Sequence, residues 1–155
     1  MRDEFDIRPY RGEDRGELEL LELPEKYINQ YTNSPPLHYT LSMLGVCTNY
    51  LYLMTRKSSS KVVGTILLRK RLDPLRAGYS WKMHAVYVSP ELRGKGLGIE
   101  LVQYVLQELD RRHVQEVGLN VDEDNKAAIG LYLKCGFSEK EKKNGQLILV
   151  KRLVA

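Results

Sequence analysis

The sequence predicts an α/β (α+β) fold, a central mixed β-sheet flanked by helices, and three observations predict it. A strand-forming run, His84 to Val88, leads through a Pro-marked turn into the glycine-rich loop Arg93-Gly94-Lys95-Gly96-Leu97-Gly98. Ile99, Leu101, Val102, Val105, Leu106 and Leu109 then recur at helical spacing, and Glu116 to Val121 beyond them reads as a buried strand. A strand–helix–strand unit implies parallel pairing in the middle, while hairpin patterns on either side imply antiparallel pairing. A mixed sheet covered by helices buries both kinds of face.

In chain order, Phe5 to Pro9 reads as the first strand. Asp14-x-x-Glu17 has capping-box character ahead of a leucine-rich helix through Leu18, Leu20, Leu21 and Leu23. Pro24 ends that helix or starts a second one carrying Tyr27, Ile28 and Tyr31. Thr32-Asn33-Ser34-Pro35-Pro36 is a strong loop signal, followed by a short helix or turn from about His38 to Gly45. Tyr50 to Arg56 and Lys61 to Arg71, joined by Lys57-Ser58-Ser59-Ser60, read as a hairpin. Asp73-Pro74 opens a loop, and Tyr79 to Val88 is the strand that feeds the glycine loop, whose helix ends near His113. Lys126 to Lys134 is a short helix stopped at Gly136, and Phe137 to Lys142 with Gln146 to Arg152 close a hairpin around Asn144-Gly145. The predicted order is β-α-α-β-β-β-α-β-α-β-β, in one domain over residues 1–155.

A chain of 155 residues is long enough for a substantial core, and 43% hydrophobic with 28% charged residues is ordinary for a soluble globular protein. No apolar run approaches the roughly 20 residues that span a bilayer, so no membrane association is expected. The polar, acidic start does not read as a secretory signal. Cys47 and Cys135 lack a CxxC or a His partner at ligand spacing; they read as reduced thiols of a cytoplasmic protein, and no metal is expected. The net charge of +4 is spread out, with clusters at Arg69-Lys70-Arg71 and Lys140 to Lys143 broken by acidic or turn residues. That is a solvated surface rather than a nucleic-acid stripe, and its mild field suits an anionic ligand.

The glycine loop carries the chemistry. Glycines at a helix N-terminus leave unpaired N–H groups and the positive end of the dipole accessible, a phosphate seat to which Arg93 and Lys95 add charge. Glycines before a helix also serve simply to turn the chain, so the loop alone does not decide. A Walker loop is excluded by spacing, and the dinucleotide fingerprint fails because Ile99 stands where its third glycine is needed. What fits is Arg-x-x-Gly-x-Gly directly after a strand. This resembles the central motif of the GNAT family of acyl-CoA-dependent N-acetyltransferases, whose loop holds the pyrophosphate of acetyl-CoA.

A second stretch, NKAAIGLYLKCGF from Asn125 to Phe137, places Tyr132 four residues after Ala128 and seven after Asn125, on one helix face. By itself such a tyrosine is core filling with a hydroxyl that finds a partner. The pattern Asn-x-x-Ala-x-x-x-Tyr-x-x-x-Gly-Phe, a helix and a strand after the glycine loop, also resembles GNAT, and the two motifs together cover that family in the right order. The resemblance implies nearly the whole fold, with acetyl-CoA on Val86, Tyr87, Val88, Arg93, Gly94, Lys95, Gly96, Leu97, Gly98 and Asn125. It also implies a Tyr132 hydroxyl near the cofactor sulfur. The activity implied is transfer of acetyl directly to a primary amine; the alternative is a non-catalytic acyl-CoA-binding or sensing module of the same fold.

The chemistry explains the residue types. Acyl transfer needs a held carbonyl, which a backbone N–H in Val86 to Val88 supports, and a proton for the departing sulfur, which Tyr132 supplies. A substrate ammonium with a pKa near 10.4 must also lose a proton. Relatives place a Glu or His on the strand before the loop; here that strand offers Lys82 and His84. His84, expected from alternation to share a face with Val86 and Val88, titrates in the useful range. A packed, hydrogen-bonded histidine, or water relayed to Tyr132, Glu22 or Glu25, are the other readings. By analogy with the family, Tyr27, Tyr31 and Tyr39 wall the acceptor pocket, though core and loop aromatics read the same way. The acceptor is a small-molecule or protein amine of unspecified kind, and a homodimer is left open.

Overall fold

The computed structural model describes residues 4–14, 16–17, 47–73, 75 and 78–153. Strands β1 (Phe5–Pro9), β2 (Cys47–Arg56), β3 (Val62–Asp73) and β4 (Gly78–Val88) precede helix α1 (Leu97–Arg111). Strand β5 (Glu116–Asp122), helix α2 (Lys126–Lys134), and strands β6 (Ser138–Lys143) and β7 (Gln146–Arg152) follow. The seven strands form one mixed sheet in the order β1-β2-β3-β4-β5-β7-β6. Among the described residues only the β4–β5 pair is parallel. The expected helices between 18 and 45, with Tyr27, Tyr31, Tyr39, Glu22 and Glu25, lie outside the described residues. Residues 16 and 17 are helical, and the Asp14 carboxylate before them accepts from both Arg8 amino groups (2.8 and 2.7 Å) and the Arg11 amide (2.7 Å).

Both helices pack on one face of the sheet. Leu97, Leu101, Val102, Val105 and Leu109 of α1 are buried against Met54, Ile66, Leu68 and Met83. The stripe read from the sequence is largely met, with Leu97 joining it and Ile99 only partly buried, and each buried side chain contributes about 1.5–3 kcal/mol by leaving water. β5 sends Val117, Leu119 and Val121 into the same core. At the sheet margin, β6 (SEKEKK) is exposed along its whole length, and its charges discourage further strand pairing. Asn144 (φ 53°) and Gly145 (φ 77°) turn the final hairpin in the left-handed conformations that a two-residue loop requires.

The feature that shapes the site is a bulge in β4. Thr65 pairs with Tyr87 and Leu67 with His84, so Ala85 and Val86 together oppose Ile66. The extra residue inverts the alternation. Trp81 and Met83 face the helices before the bulge and Val88 after it, whereas Tyr87 turns to the other face with Leu53 and Val62. The expectation that His84 shares a face with Val86 and Val88 is therefore corrected. His84 pairs with Leu67 and lies on the face away from the helices, while Val86 packs against the main core.

Gly64, opposite Val88, bears on this geometry. A Cβ built on it would lie 3.0 Å from the Tyr87 carbonyl oxygen and 3.2 Å from Leu101 Cδ1. Gly64→Ala is expected to push β4 off its register and cost about 1–3 kcal/mol, read from urea midpoints. An unchanged midpoint would show that β4 yields freely.

Candidate active site

Past β4 the chain is pinned before it turns. The Ser89 amide donates to Val63 O (2.8 Å), and a 3-10 turn spans Pro90–Leu92. Arg93 donates its Nε to Val88 O (2.9 Å), with its guanidinium over the Tyr87 ring at 5.3 Å. Arg93 thus fastens the loop to the strand as well as adding charge. Gly94 (φ 78°) and Gly96 (φ 82°) hold left-handed backbone, and a Cβ at either would meet nothing within 4 Å. Conformation, not crowding, demands glycine there. The first intrahelical bond of α1 runs from the Glu100 amide to Gly96 O (3.2 Å), so the amides of Leu97, Gly98 and Ile99 have no acceptor within the helix.

Those amides face a cavity of about 600 Å³. One wall is Val86, Val88, Arg93, Gly94, Gly96, Leu97 and Gly98; α2 supplies the other through Lys126, Ala128, Leu131 and Lys134. The two helices meet closely, since a Cβ on Gly98 would lie 2.6 Å from Leu131 Cδ1. Open helix amides, two bare glycines and a rim of Arg93, Lys126 and Lys134 fit a flexible phosphorylated ligand of coenzyme A type.

Not every sequence-predicted residue sits in that wall. Lys95 is exposed on the loop, and the Tyr87 side chain packs on the opposite face, leaving only its backbone toward the site. Asn125 caps α2, its Oδ1 accepting from the Ala128 amide at 3.2 Å. Tyr132 is buried beside the wall residue Leu131, edge-on to Phe137 with centroids 5.9 Å apart. Cys135 is buried in the same core, and burial pushes its thiol above the ordinary range, which disfavours a nucleophilic thiolate.

Beyond the cavity the sheet opens. β4 and β5 pair at Lys82 and Gly118, and among the described residues no register pair joins them farther along, so Val86 to Val88 have no β5 partner there. Along this edge β4 turns Val86 and Val88 to the helix face and His84 to the other. The His84 Nε2 is buried without a hydrogen-bond partner. Burial, then Arg69 and Lys82, pull its pKa from 6.5 to about 4. Asn120 projects from β5 to this same face, between the core residues Leu119 and Val121. Sequence reasoning passed over Asn120 and Arg69; the alternating burial of β5 and the β3–β4 register are the signals that find them.

The pattern of the Acetyltransferase (GNAT) family matches residues 17–137. The chain belongs to the GNAT acetyltransferase family. An uncharacterised N-acetyltransferase of Methanocaldococcus jannaschii is 38% identical over 72 residues, 46% of this chain and 32% of that one. The ribosomal protein bS18 alanine N-acetyltransferase of Escherichia coli is 39% identical over 54 residues, 35% of this chain and 36% of that one. This GNAT chain therefore spans about a third of the length of the curated relatives it matches. Among solved structures, the PaiA N-acetyltransferase of Thermoplasma acidophilum in complex with coenzyme A superposes with a TM-score of 0.69 at 18% identity, over 96% of this chain and 98% of that one. The fold is that of GNAT acyltransferases.

Two outcomes are expected. Gly96→Val forces a branched residue to φ 82°, so coenzyme A binding by calorimetry should fail while far-UV circular dichroism persists. For His84, the unfolded chain takes up a proton below pH 6.5 and the folded chain only near pH 4. Stability is thus full above pH 6.5 and falls as the pH drops toward 4, by up to about 3 kcal/mol. Urea midpoints across that window should fall less steeply for His84→Gln; parallel curves would remove His84 as the cause.

Proposed function

We propose that this chain is an acetyl-CoA-dependent N-acetyltransferase that moves the acetyl group directly to a primary amine. The observation that carries the reading is the helix-amide cavity lined by Val86 and Val88, on the β5 side of which no register pair forms among the described residues. Bound acetyl-CoA supplies an activated acyl carbon; transfer forms a C–N bond, breaks the C–S bond and releases the thiol.

The chain's residues divide the work. The amides of Leu97, Gly98 and Ile99, with those of the Gly94–Gly96 loop, hold the pyrophosphate, and Arg93, Lys126 and Lys134 neutralise it. A backbone N–H in Val86 to Val88 donates to the carbonyl oxygen as its charge grows. Tyr132 gives its hydroxyl proton to the departing sulfur.

His84 has a narrower part than a full base. With a pKa of about 4 it lies more than six units below an ammonium of about 10.4, so it accepts a hydrogen bond from a neutral amine rather than storing its proton. The cations Arg69 and Lys82 that lower His84 also lower a nearby ammonium, and the amine proton is lost to water before attack.

Incubation with acetyl-CoA and an amine panel, with mass detection of product and assay of free thiol, tests the reading. Coenzyme A binding without thiol release would favour the non-catalytic binding module. Tyr132→Phe should lower kcat by roughly 10²–10⁴ and leave coenzyme A affinity in place. Equal loss of both would reduce Tyr132 to packing.

A further inference from the structure

The face of the sheet away from α1 and α2 carries a charge arrangement that transfer to an arbitrary amine does not need. Arg69 on β3 and Lys82 on β4 are register partners, two residues along from the pair Leu67–His84. Two cations therefore stand directly opposite each other, which costs stability unless an anion joins them. Arg71 follows Arg69 on the same face by alternation. Arg69 donates its Nε to Asn49 Oδ1 (2.9 Å), a neutral acceptor that orients the guanidinium without neutralising it. Among the described residues neither Arg69 nor Lys82 forms an ion pair.

Lys82 also lines a groove of about 710 Å³ with Ser80, Gly118, Ile148 and Val150. The groove also holds acids: Asp73 at the end of β3, Glu116 at the first residue of β5, and Glu141 on the marginal strand β6, and none of them forms a salt bridge with Lys82 among the described residues. The pair itself sits at the root of the β4–β5 gap, because Lys82 and Gly118 mark where those strands pair. Along β4, Lys82 is roughly 7 Å from His84 and roughly 13 Å from Val86, at about 3.3 Å per residue. On the helix face the cavity between α1 and α2 is the seat assigned to the coenzyme, which leaves the side of His84 for the acceptor.

We propose that Arg69 and Lys82 hold a carboxylate of the acceptor, so that the acetylated nitrogen belongs to a small amino-acid-like molecule. The proposal rests on the acetyltransferase reading and names its substrate class. A carboxylate a few bonds from an amine held at His84 falls within reach of both long side chains, and an oriented guanidinium beside an ammonium forms charge-assisted hydrogen bonds to it. A polycationic amine meets the same pair as repulsion.

The test compares matched acceptors, L-leucine against L-leucinamide, with acetyl-CoA. The unaltered protein should favour the free acid at least tenfold in kcat/KM, with the difference in KM. Arg69→Gln and Lys82→Met should each bring the acid-to-amide ratio toward one while the KM for acetyl-CoA stays put. Equal use of acid and amide by the unaltered protein, or equal losses on both in the variants, overturns the proposal and leaves the transferase reading standing. Melting with coenzyme A plus N-acetyl-L-leucine or N-acetyl-L-leucinamide reads the anion site without turnover. Selective stabilisation by the acid with no acetylation of any amine would keep the site and sink the transferase reading; no selectivity and no product would sink both.

Discussion

The constraint on which the rest of the structure depends is the register of β4 against its two neighbours. On one side the bulge at Ala85–Val86 inverts the strand, and on the other the pairing with β5 lapses beyond Lys82 and Gly118. The first decides which side chains meet the helices and which meet the opposite face. The second leaves Val86 to Val88 without a register pair on their β5 side among the described residues, where Val88 O accepts from Arg93 Nε instead. A ligand running along that edge gives their other backbone groups partners. The same strand then turns directly into the open amides of α1, so one continuous stretch of main chain offers donors to both ends of an elongated ligand.

Elements governed by local pattern were legible. The six-residue apolar stripe of α1 and the limits of α2 and β7 follow from spacing, and Asn144-Gly145 announces its turn because few other pairs adopt left-handed backbone in succession. The glycine loop was legible for the same reason. The faces of β4 were not. Alternation counted along one strand assumes that every residue has one partner, and whether Ala85 and Val86 share Ile66 is settled by β3, some twenty residues away. His84 was consequently placed on the wrong side. Arg93 was read as a charge alone, and its bond to Val88 O appears only once the turn brings loop and strand together. Asn125 was matched to a ligand contact, and the structure adds that its Oδ1 closes the first turn of α2. One side-chain oxygen thereby fixes where Leu131, and with it the wall facing Gly98, can stand.

The charge pattern on the far face breaks a rule that strands ordinarily keep, and such breaks gather at functional sites. Placing Arg69 opposite Lys82 and withdrawing His84 from water beside them each lowers stability, and no acid among the described residues forms a salt bridge with either cation. The two costs have one consequence in common: a region of positive potential that disfavours any protonated nitrogen. For a histidine this means a neutral ring at working pH. For an amine at the β4–β5 gap, on the proposed reading, it means a lowered ammonium pKa and a larger share of free lone pair. A strong base held at His84 would need a high pKa and would carry its own proton at neutral pH. Suppressing protonation through surrounding charge avoids that conflict, and the unusual sequence Arg69-Lys70-Arg71, apparently a solvated run, acquires a reason in the half of it that β3 turns toward His84.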